Sequence, residues 1–156
     1  MNLVLSLLVE NNPGVVNRVT RQFTHRGYSI DSLNVGKTKD PAISQMTIVT
    51  HGDSNIFQQI ERHLHKLVEV IQVSPLKEGT ALFRELALIK LDIPVENHSF
   101  LHDIVYNFNG KITQTSDNIF ILEVIEDEKK INDLLYSLEE FNILEVARTG
   151  LTGIKI

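Results

Sequence analysis

The residues best suited to chemistry form a polar turn near the start of the chain, with the sequence Asn-Asn-Pro-Gly at residues 11–14. Asn12 is a good helix N-cap, proline fits the first helical position, and Gly14 permits close approach to the backbone. A helix beginning here leaves the N–H groups of Gly14, Val15 and Val16 free at the positive end of its dipole. That place suits a carboxylate or a phosphate. The alternative interpretation is that the turn only caps a helix.

Two regular elements must position this turn. Apolar residues alternate through residues 3–9, which indicates a largely buried strand. After the turn, Val15, Val16, Val19 and Phe23 recur at helical spacing, which indicates an amphipathic helix. Its outward face carries basic groups that could dock on an acidic partner surface, although a solvated face is the simpler interpretation. These groups are Arg18, Arg21 and His25.

Other polar clusters favour solvated surfaces over catalysis. His98 and His102 have a spacing that can hold zinc, with Asp103 beside them, but a third ligand is not at useful spacing. His63 and His65 point to different sides of a helix. The acidic run at residues 126–128 is typical of a helix's first turn. The sequence has no nucleophile elbow, P-loop or dinucleotide fingerprint, so we predict no catalytic and no metal-binding residues.

Composition narrows the class of protein. The 156 residues are 42% hydrophobic and 22% charged, which is typical of a globular protein of one or two domains. There is no cysteine, and the net charge is near +1 for residues 1–76 and −6 for residues 77–156. This balance argues against a nucleic-acid partner. We expect no membrane partner and a cytoplasmic location, because neither a membrane span nor a secretory signal is apparent.

The predicted elements repeat once along the chain, in the order strand, helix, strand, strand, helix, strand. The first set includes a strand over residues 28–35, and the second begins with a strand over residues 82–93 and ends with one over 143–147. The pattern predicts an α+β fold of two tandem ferredoxin-like βαββαβ sandwiches, with domains at 1–76 and 77–156. Because such a sheet has a bare face and open edges, we expect another chain to cover this face or an edge of the first sheet.

Several segments together resemble the small, regulatory subunit of acetolactate synthase, over essentially the whole chain. The segments are LSLLVENNPG at 5–14, RV at 18–19, FTHRGYSIDSL at 23–33, MTI at 46–48, QIE at 59–61, LHKLV at 64–68 and LEVARTG at 144–150. The resemblance implies an N-terminal ACT domain over 1–76, which binds a branched-chain amino acid between two paired copies. Residues 77–156 would be the family's second ferredoxin-like domain.

The resemblance also implies a ligand site. Asn11 and Gly14 match the family's ligand positions, and the amides around Gly14, Val15 and Val16 would take the carboxylate of valine. Ser29 and Ile30 would form the wall supplied by the other chain of a homodimer. Ser29 stands where asparagine is commoner in the family, so the choice among valine, leucine and isoleucine stays open.

The expected role is regulation rather than catalysis. In this family the small subunit activates a separate large subunit, a thiamine-diphosphate-dependent transferase, and confers feedback inhibition by valine in branched-chain amino acid biosynthesis. Thiamine diphosphate, magnesium and FAD would belong to that large subunit, and this chain would hold no cofactor. A stand-alone ACT-type amino-acid sensor in transcriptional control is the alternative, although the two sandwiches leave no room for a helix-turn-helix segment.

Overall fold

The computed structural model describes residues 2–156, which form two successive βαββαβ sets and one further strand. The first set comprises β1 (Asn2–Glu10), α1 (Val15–Thr24), β2 (Ser32–Lys37), β3 (Ile43–His51), α2 (Ser54–Leu64) and β4 (Val70–Leu76). The second comprises β5 (Ala81–Asp92), a 3-10 turn (Val95–Asn97), α3 (His98–Asn107), β6 (Lys111–Gln114), β7 (Ile119–Glu126), α4 (Glu128–Ser137) and β8 (Asn142–Arg148). The last strand, β9 (Thr152–Lys155), was not predicted from the sequence.

The two sets share one sheet topology. The first sheet has the order β2-β3-β1-β4, and the second has the corresponding order β6-β7-β5-β8. Every pairing along these two paths is antiparallel. This arrangement confirms the predicted α+β class with two tandem ferredoxin-like sandwiches.

Each sheet buries one face against its two helices. In β1 every second residue from Leu5 to Val9 is fully buried, which matches the two-residue period of a strand. The first core consists of Leu5, Leu7, Val9, Val15, Val19, Phe23, Met46, Ile48, Ile60, Leu64 and Val73. The second core consists of Ala87, Ile89, Leu91, Ile93, Leu101, Val105, Phe120, Leu122, Val124, Ile131, Leu134 and Leu138.

The second helix of each set begins at an aspartate cap. Asp53 accepts hydrogen bonds from the N–H groups of Asn55 and Ile56, both at 2.9 Å. Asp127 accepts one from the N–H of Lys130, also at 2.9 Å. The sequence predicted that the acidic run at 126–128 lies in the first helical turn. Only Glu128 does, because Asp127 caps α4 and Glu126 ends β7.

β2 begins later than predicted. The pattern suggested a strand over 28–35, but the strand runs from Ser32 to Lys37. The reason lies at the end of α1, where Phe23 O accepts hydrogen bonds from the N–H groups of both Arg26 and Tyr28. Those bonds form the turn that follows α1 and hold the chain as far as Tyr28. Ladder pairing with β3 therefore starts only at Ser32.

The chain divides into two compact units. The first runs to Phe83 and also contains Leu151–Ile156, and the second is Arg84–Gly150. The sequence pattern placed its single boundary between residues 76 and 77. The later division arises because β5 begins at Ala81 and pairs with β9 as well as with β7 and β8.

Leu151–Ile156, called here the C-terminal segment, covers part of the outer face of the first sheet. The side chain of Gln45 on that face donates to the Gly153 carbonyl at 3.4 Å. Leu76 and Leu151 are 6% and 8% exposed. The face that we expected another chain to cover is thus partly covered by the chain itself. Within residues 2–156, no helix is long and apolar enough to cross a bilayer.

Candidate functional site

The turn between β1 and α1 is built around Gly14. Gly14, not the predicted Asn12, is the N-cap of α1, with φ 82° and ψ −3°. The N–H of Val15 donates to Asn12 O at 3.3 Å, which closes a tight turn, and the N–H of Arg18 donates to Gly14 O at 3.0 Å as the first helical bond. Because a side chain at positive φ is strained, the turn favours glycine at this position.

This turn leaves backbone donors exposed. Among residues 2–156, the N–H groups of Gly14, Val16 and Asn17 donate no hydrogen bond. The sequence named Gly14, Val15 and Val16, but the amide of Val15 is engaged in the turn. The side chains of these two valines also differ, since Val15 is 3% exposed and belongs to the core while Val16 is 41% exposed. The free donors and the Val16 side chain therefore lie together at the positive end of α1.

Arg18 adds a formal positive charge to the same place. Its Nη1 atom lies 3.2 Å from the position a Cβ would take at Gly14. Its Nη2 atom lies 3.5 Å from Pro13 O, and its Nε atom forms a 2.7 Å ion pair with Glu69. From its position in the sequence, Arg18 was expected on the outward face of the helix. The four-residue spacing from Gly14, one helical turn, was the signal that the side chain could reach back over the cap.

Asn11 fastens the turn to the start of β3. Its backbone N–H donates to Ala42 O at 2.7 Å, and its side-chain Nδ2 donates to Pro41 O at 2.9 Å. Its Oδ1 accepts from Ser44 Oγ at 3.1 Å. Because an amide oxygen has two lone pairs, Oδ1 keeps one for a further donor.

Ser29 and Ile30 lie in the irregular segment before β2. Ser29 is exposed, and its carbonyl accepts from Thr50 Oγ1 at 2.6 Å. Ile30 is half-buried and packs against the first core. Beside them, Asp31 lies 2.9 Å from Nδ1 of His51.

One chain does not bring the two groups of predicted site residues together. Asn11 contacts residues at the start of β3, whereas Ser29 contacts Thr50 near its end. The six residue steps from Ser44 to Thr50 span roughly 20 Å in a strand. The two halves of the predicted site therefore lie at opposite ends of the first sheet.

The histidines considered for zinc have other surroundings. Nε2 of His98 lies 3.1 Å from Ile93 O, and the ring packs edge-on against Phe120 with centroids 4.7 Å apart. In the part of the chain that the structure describes, no three side chains of histidine, aspartate or glutamate are grouped so that they could hold a metal.

Comparison with protein families covers both units. Residues 5–72 match the family model described as an AHAS small subunit-like ACT domain. Residues 84–156 match the model described as the small subunit of acetolactate synthase. Together these matches cover most of the chain, in the order that the sequence resemblance indicated.

Individual relatives agree with these matches. The chain is 38% identical to a probable acetolactate synthase small subunit of Methanothermobacter thermautotrophicus, over 96% of this chain and 90% of that protein. It is 37% identical to the acetolactate synthase isozyme 3 small subunit of Escherichia coli, over 99% and 95%. The crystal structure of the acetolactate synthase small subunit from Thermotoga maritima superposes with a TM-score of 0.93 at 33% identity, over 100% of this chain and 98% of that one. The chain therefore belongs to the family of acetolactate synthase small, regulatory subunits, and its first unit contains the family's ACT domain.

Proposed function

We propose that this chain senses a branched-chain amino acid, bound between two copies of the first unit, and passes that signal to a separate catalytic subunit of acetolactate synthase. The observation that carries the proposal is the Gly14 turn, where three free amides and the Arg18 guanidinium meet beside an exposed valine. Amides and a cation suit a carboxylate, and the apolar group beside them suits an aliphatic side chain.

Each part of the ligand has a partner of matching chemistry. The carboxylate binds the N–H groups of Gly14, Val16 and Asn17, and the ammonium binds the free lone pair of Asn11 Oδ1. The aliphatic side chain contacts Val16. The remaining wall comes from Ser29 and Ile30 of a second copy.

A homodimer through the first units is part of this proposal. The two halves of the site lie at opposite ends of one sheet, so a twofold axis could bring unlike ends of two copies together. β2 and β4 are the outer strands of the first sheet, and both carry exposed apolar side chains. Val35 is 41% and Ile71 54% exposed. Such edges favour pairing with another chain.

Regulation follows from differential binding. A ligand that bridges two copies can inhibit only if it favours the arrangement in which the catalytic subunit is less active, with a typical coupling of about 1–3 kcal/mol. Without the ligand, the same contacts activate the catalytic subunit. That subunit supplies thiamine diphosphate, magnesium and FAD, and this chain supplies no catalytic group.

Calorimetry on the full chain tests the ligand. Valine, leucine and isoleucine are titrated separately into the wild-type chain and into the variant Gly14→Asp. We expect binding heat from at least one amino acid with the wild type and none with Gly14→Asp, because the added carboxylate would occupy the ligand's place.

The matched control is Gly14→Asn. Asparagine has the size of aspartate and tolerates positive φ equally well, but it carries no charge. We therefore expect Gly14→Asn to retain measurable binding and both variants to keep the circular dichroism of the folded chain. The absence of heat from all three amino acids with the wild type at millimolar concentration would overturn the proposal.

Addition to a catalytic subunit tests the regulatory step. We expect the chain to raise acetolactate synthase activity, and the bound amino acid to lower it again in the wild type but not in Gly14→Asp. Light scattering at micromolar concentration tests the homodimer, and a strictly monomeric chain would contradict the shared site.

A further inference from the structure

The C-terminal segment is attached to the first unit through Leu151, Gly153 and backbone hydrogen bonds, while the rest of its side chains are exposed. Leu151 is 8% exposed, β9 pairs with β5, and the N–H of Ile156 donates to Thr80 O at 3.0 Å. A Cβ at Gly153 would lie 2.7 Å from Leu76 Cδ1 and 2.9 Å from Phe83 Cδ1, so these two side chains pack directly against the backbone of the segment. Contacts this close indicate a specific docking position on the outer face of the first sheet.

One contact of this segment is with the start of β2. The backbone N–H of Leu151 donates to Ser32 Oγ at 3.2 Å. Ser32 is the first residue of β2, and it follows Ser29 and Ile30 by three and two positions. β2 is an outer strand that pairs only with β3 in the described sheet. A bond from the C-terminal segment therefore adds a second attachment to a strand end that the sheet holds from one side.

The other attachment comes from the end of β3. Thr50 Oγ1 donates to Ser29 O at 2.6 Å, and the N–H of Asp31 donates to Val49 O at 2.8 Å. Residues 29–32 thus have two supports, the end of β3 within the sheet and the C-terminal segment on its outer face. These four residues include the proposed wall of the effector site.

We propose that the C-terminal segment is a positioning element of the effector site, which holds residues 29–32 in the conformation that receives the amino acid. The inference rests on the proposed function for the identity of the ligand. By linkage, a segment that improves ligand binding must itself be stabilised by the ligand to the same extent. The last six residues of the chain, far from the Gly14 turn in sequence, therefore belong to the sensing device.

Two variants test this inference, one truncated and one of full length. One ends the chain after Gly150, which removes the whole C-terminal segment. The other is Ser32→Ala, which removes only the acceptor for Leu151 N–H and keeps the proposal testable if the truncated chain does not fold. The matched control is Ile154→Ser, in the same segment, because Ile154 is 63% exposed.

Two measurements are made on each protein. Hydrogen exchange without ligand reports the opening of residues 28–33, and calorimetry with valine, or with whichever branched-chain amino acid binds the wild type, reports affinity. We expect faster exchange in both test variants, about fivefold weaker binding for Ser32→Ala from the loss of one hydrogen bond, and no measurable heat after truncation. Ile154→Ser should match the wild type in both measurements. In the wild type, the ligand should slow exchange in residues 151–156.

The failures are distinguishable. No heat from the wild-type chain overturns the proposed function, and this inference with it. Heat from the wild type together with unchanged affinity or unchanged exchange in Ser32→Ala overturns only the inference, because the segment would then not support the wall.

Discussion

The first turns of the two units occupy the same place in the same topology, yet they differ in chemistry. In the first unit, the β1–α1 turn has Gly14 at positive φ, free amides and a guanidinium. In the second unit, the 3-10 turn Val95–Asn97 lies between β5 and α3, and the N–H of Asn97 donates to Pro94 O at 2.9 Å. There His98 turns its ring to Ile93 O. Both units therefore supply a helix end, but within the described residues only the first unit has a glycine at positive φ there, with a guanidinium beside it.

The second unit uses charge differently, inside its own structure. The Glu85 side chain is 4% exposed, and its two oxygens accept from Arg148 Nε at 2.8 Å and Nη2 at 2.7 Å. Arg148 also donates to Asn132 Oδ1 at 2.9 Å. Beside Glu85 in the ladder, Glu126 pairs with Lys130 at 3.1 Å. In contrast, the buried polar side chains of the first unit, within residues 3–83, are the uncharged Ser44, Thr47 and Thr50.

The largest effect that we expect tests this internal use of charge. Arg148→Met leaves the buried Glu85 carboxylate without its cation, which should lower the free energy of unfolding of the second unit by about 3 kcal/mol. The hydrogen bonds that Arg148 donates to Glu85 raise the pKa of Arg148, as expected for a cation held by its partner. Urea unfolding followed by residue-resolved hydrogen exchange measures the loss.

The matched control is Lys111→Met in the same unit. Lys111 and Glu123 are 3.8 Å apart, with 81% and 44% of their side chains exposed. Such surface pairs contribute little, so we expect a change below about 0.5 kcal/mol. Equal losses in Arg148→Met and Lys111→Met would contradict a special role for the buried pair.

The next effect sharpens the contrast at the open turn. Arg18→Met removes the guanidinium beside Gly14, and we expect about tenfold weaker binding of the branched-chain amino acid, as for the loss of one charge-assisted hydrogen bond. Stability should change by less than about 1 kcal/mol, because the Arg18 side chain is 43% exposed in its pair with Glu69. Calorimetry and urea unfolding measure the two quantities.

Arg21→Met is the control for that measurement, since Arg21 is exposed on the same helix. It removes the same charge one turn further from the cap, so its effect on affinity should be much smaller. If both variants weakened binding equally, the effect would reflect the net charge of the unit rather than a contact at the turn.

The sequence predicted the repeated topology and the place of the open turn because both depend on local patterns. Alternating and helical periods define the strands and helices, and an aspartate such as Asp53 is a local signal for the start of a helix. The position of Arg18 over Gly14 depended on a side-chain conformation that no pattern specifies. The C-terminal segment was missed because its four-residue strand is too short for a clear period, and its docking depends on contacts with residues far away in sequence. The early start predicted for β2 had a related cause. The segment from residue 28 looked extended in sequence, but the N–H of Tyr28 donates to Phe23 O at the end of α1.

A smaller effect on stability, nearly equal in the two units, is expected at the aspartate caps that both units share. Asp53→Ala and Asp127→Ala each remove the cap of the second helix of a unit, and each should cost about 1 kcal/mol of stability. Hydrogen exchange in α2 and α4 assigns each loss to its own unit. A loss in one unit without a comparable loss in the other would break the correspondence between the two caps.

The smallest expected effect is a pH dependence confined to the second unit. The hydrogen bond from Lys130 holds the pKa of Glu126 below its ordinary value, assisted by Asn109 and by the positive charge of Arg84. A lowered folded-state pKa means that the ionised group stabilises the unit fully above the unfolded-state value of about 4.3. That contribution is lost as the pH falls through the folded-state pKa.

Unfolding of the wild type and of Glu126→Gln at a series of pH values from 7 to 3 measures this contribution. Glutamine keeps the shape of the side chain but does not titrate, so the wild type should exceed the variant in stability at pH 7, and the difference should shrink below about pH 4. The first unit should show no such difference between the two proteins, because Glu126 lies in the second. A difference that stays constant down to pH 3 would mean that the charge of Glu126 does not stabilise the unit, and the contrast between the units would then rest on the Glu85–Arg148 pair alone.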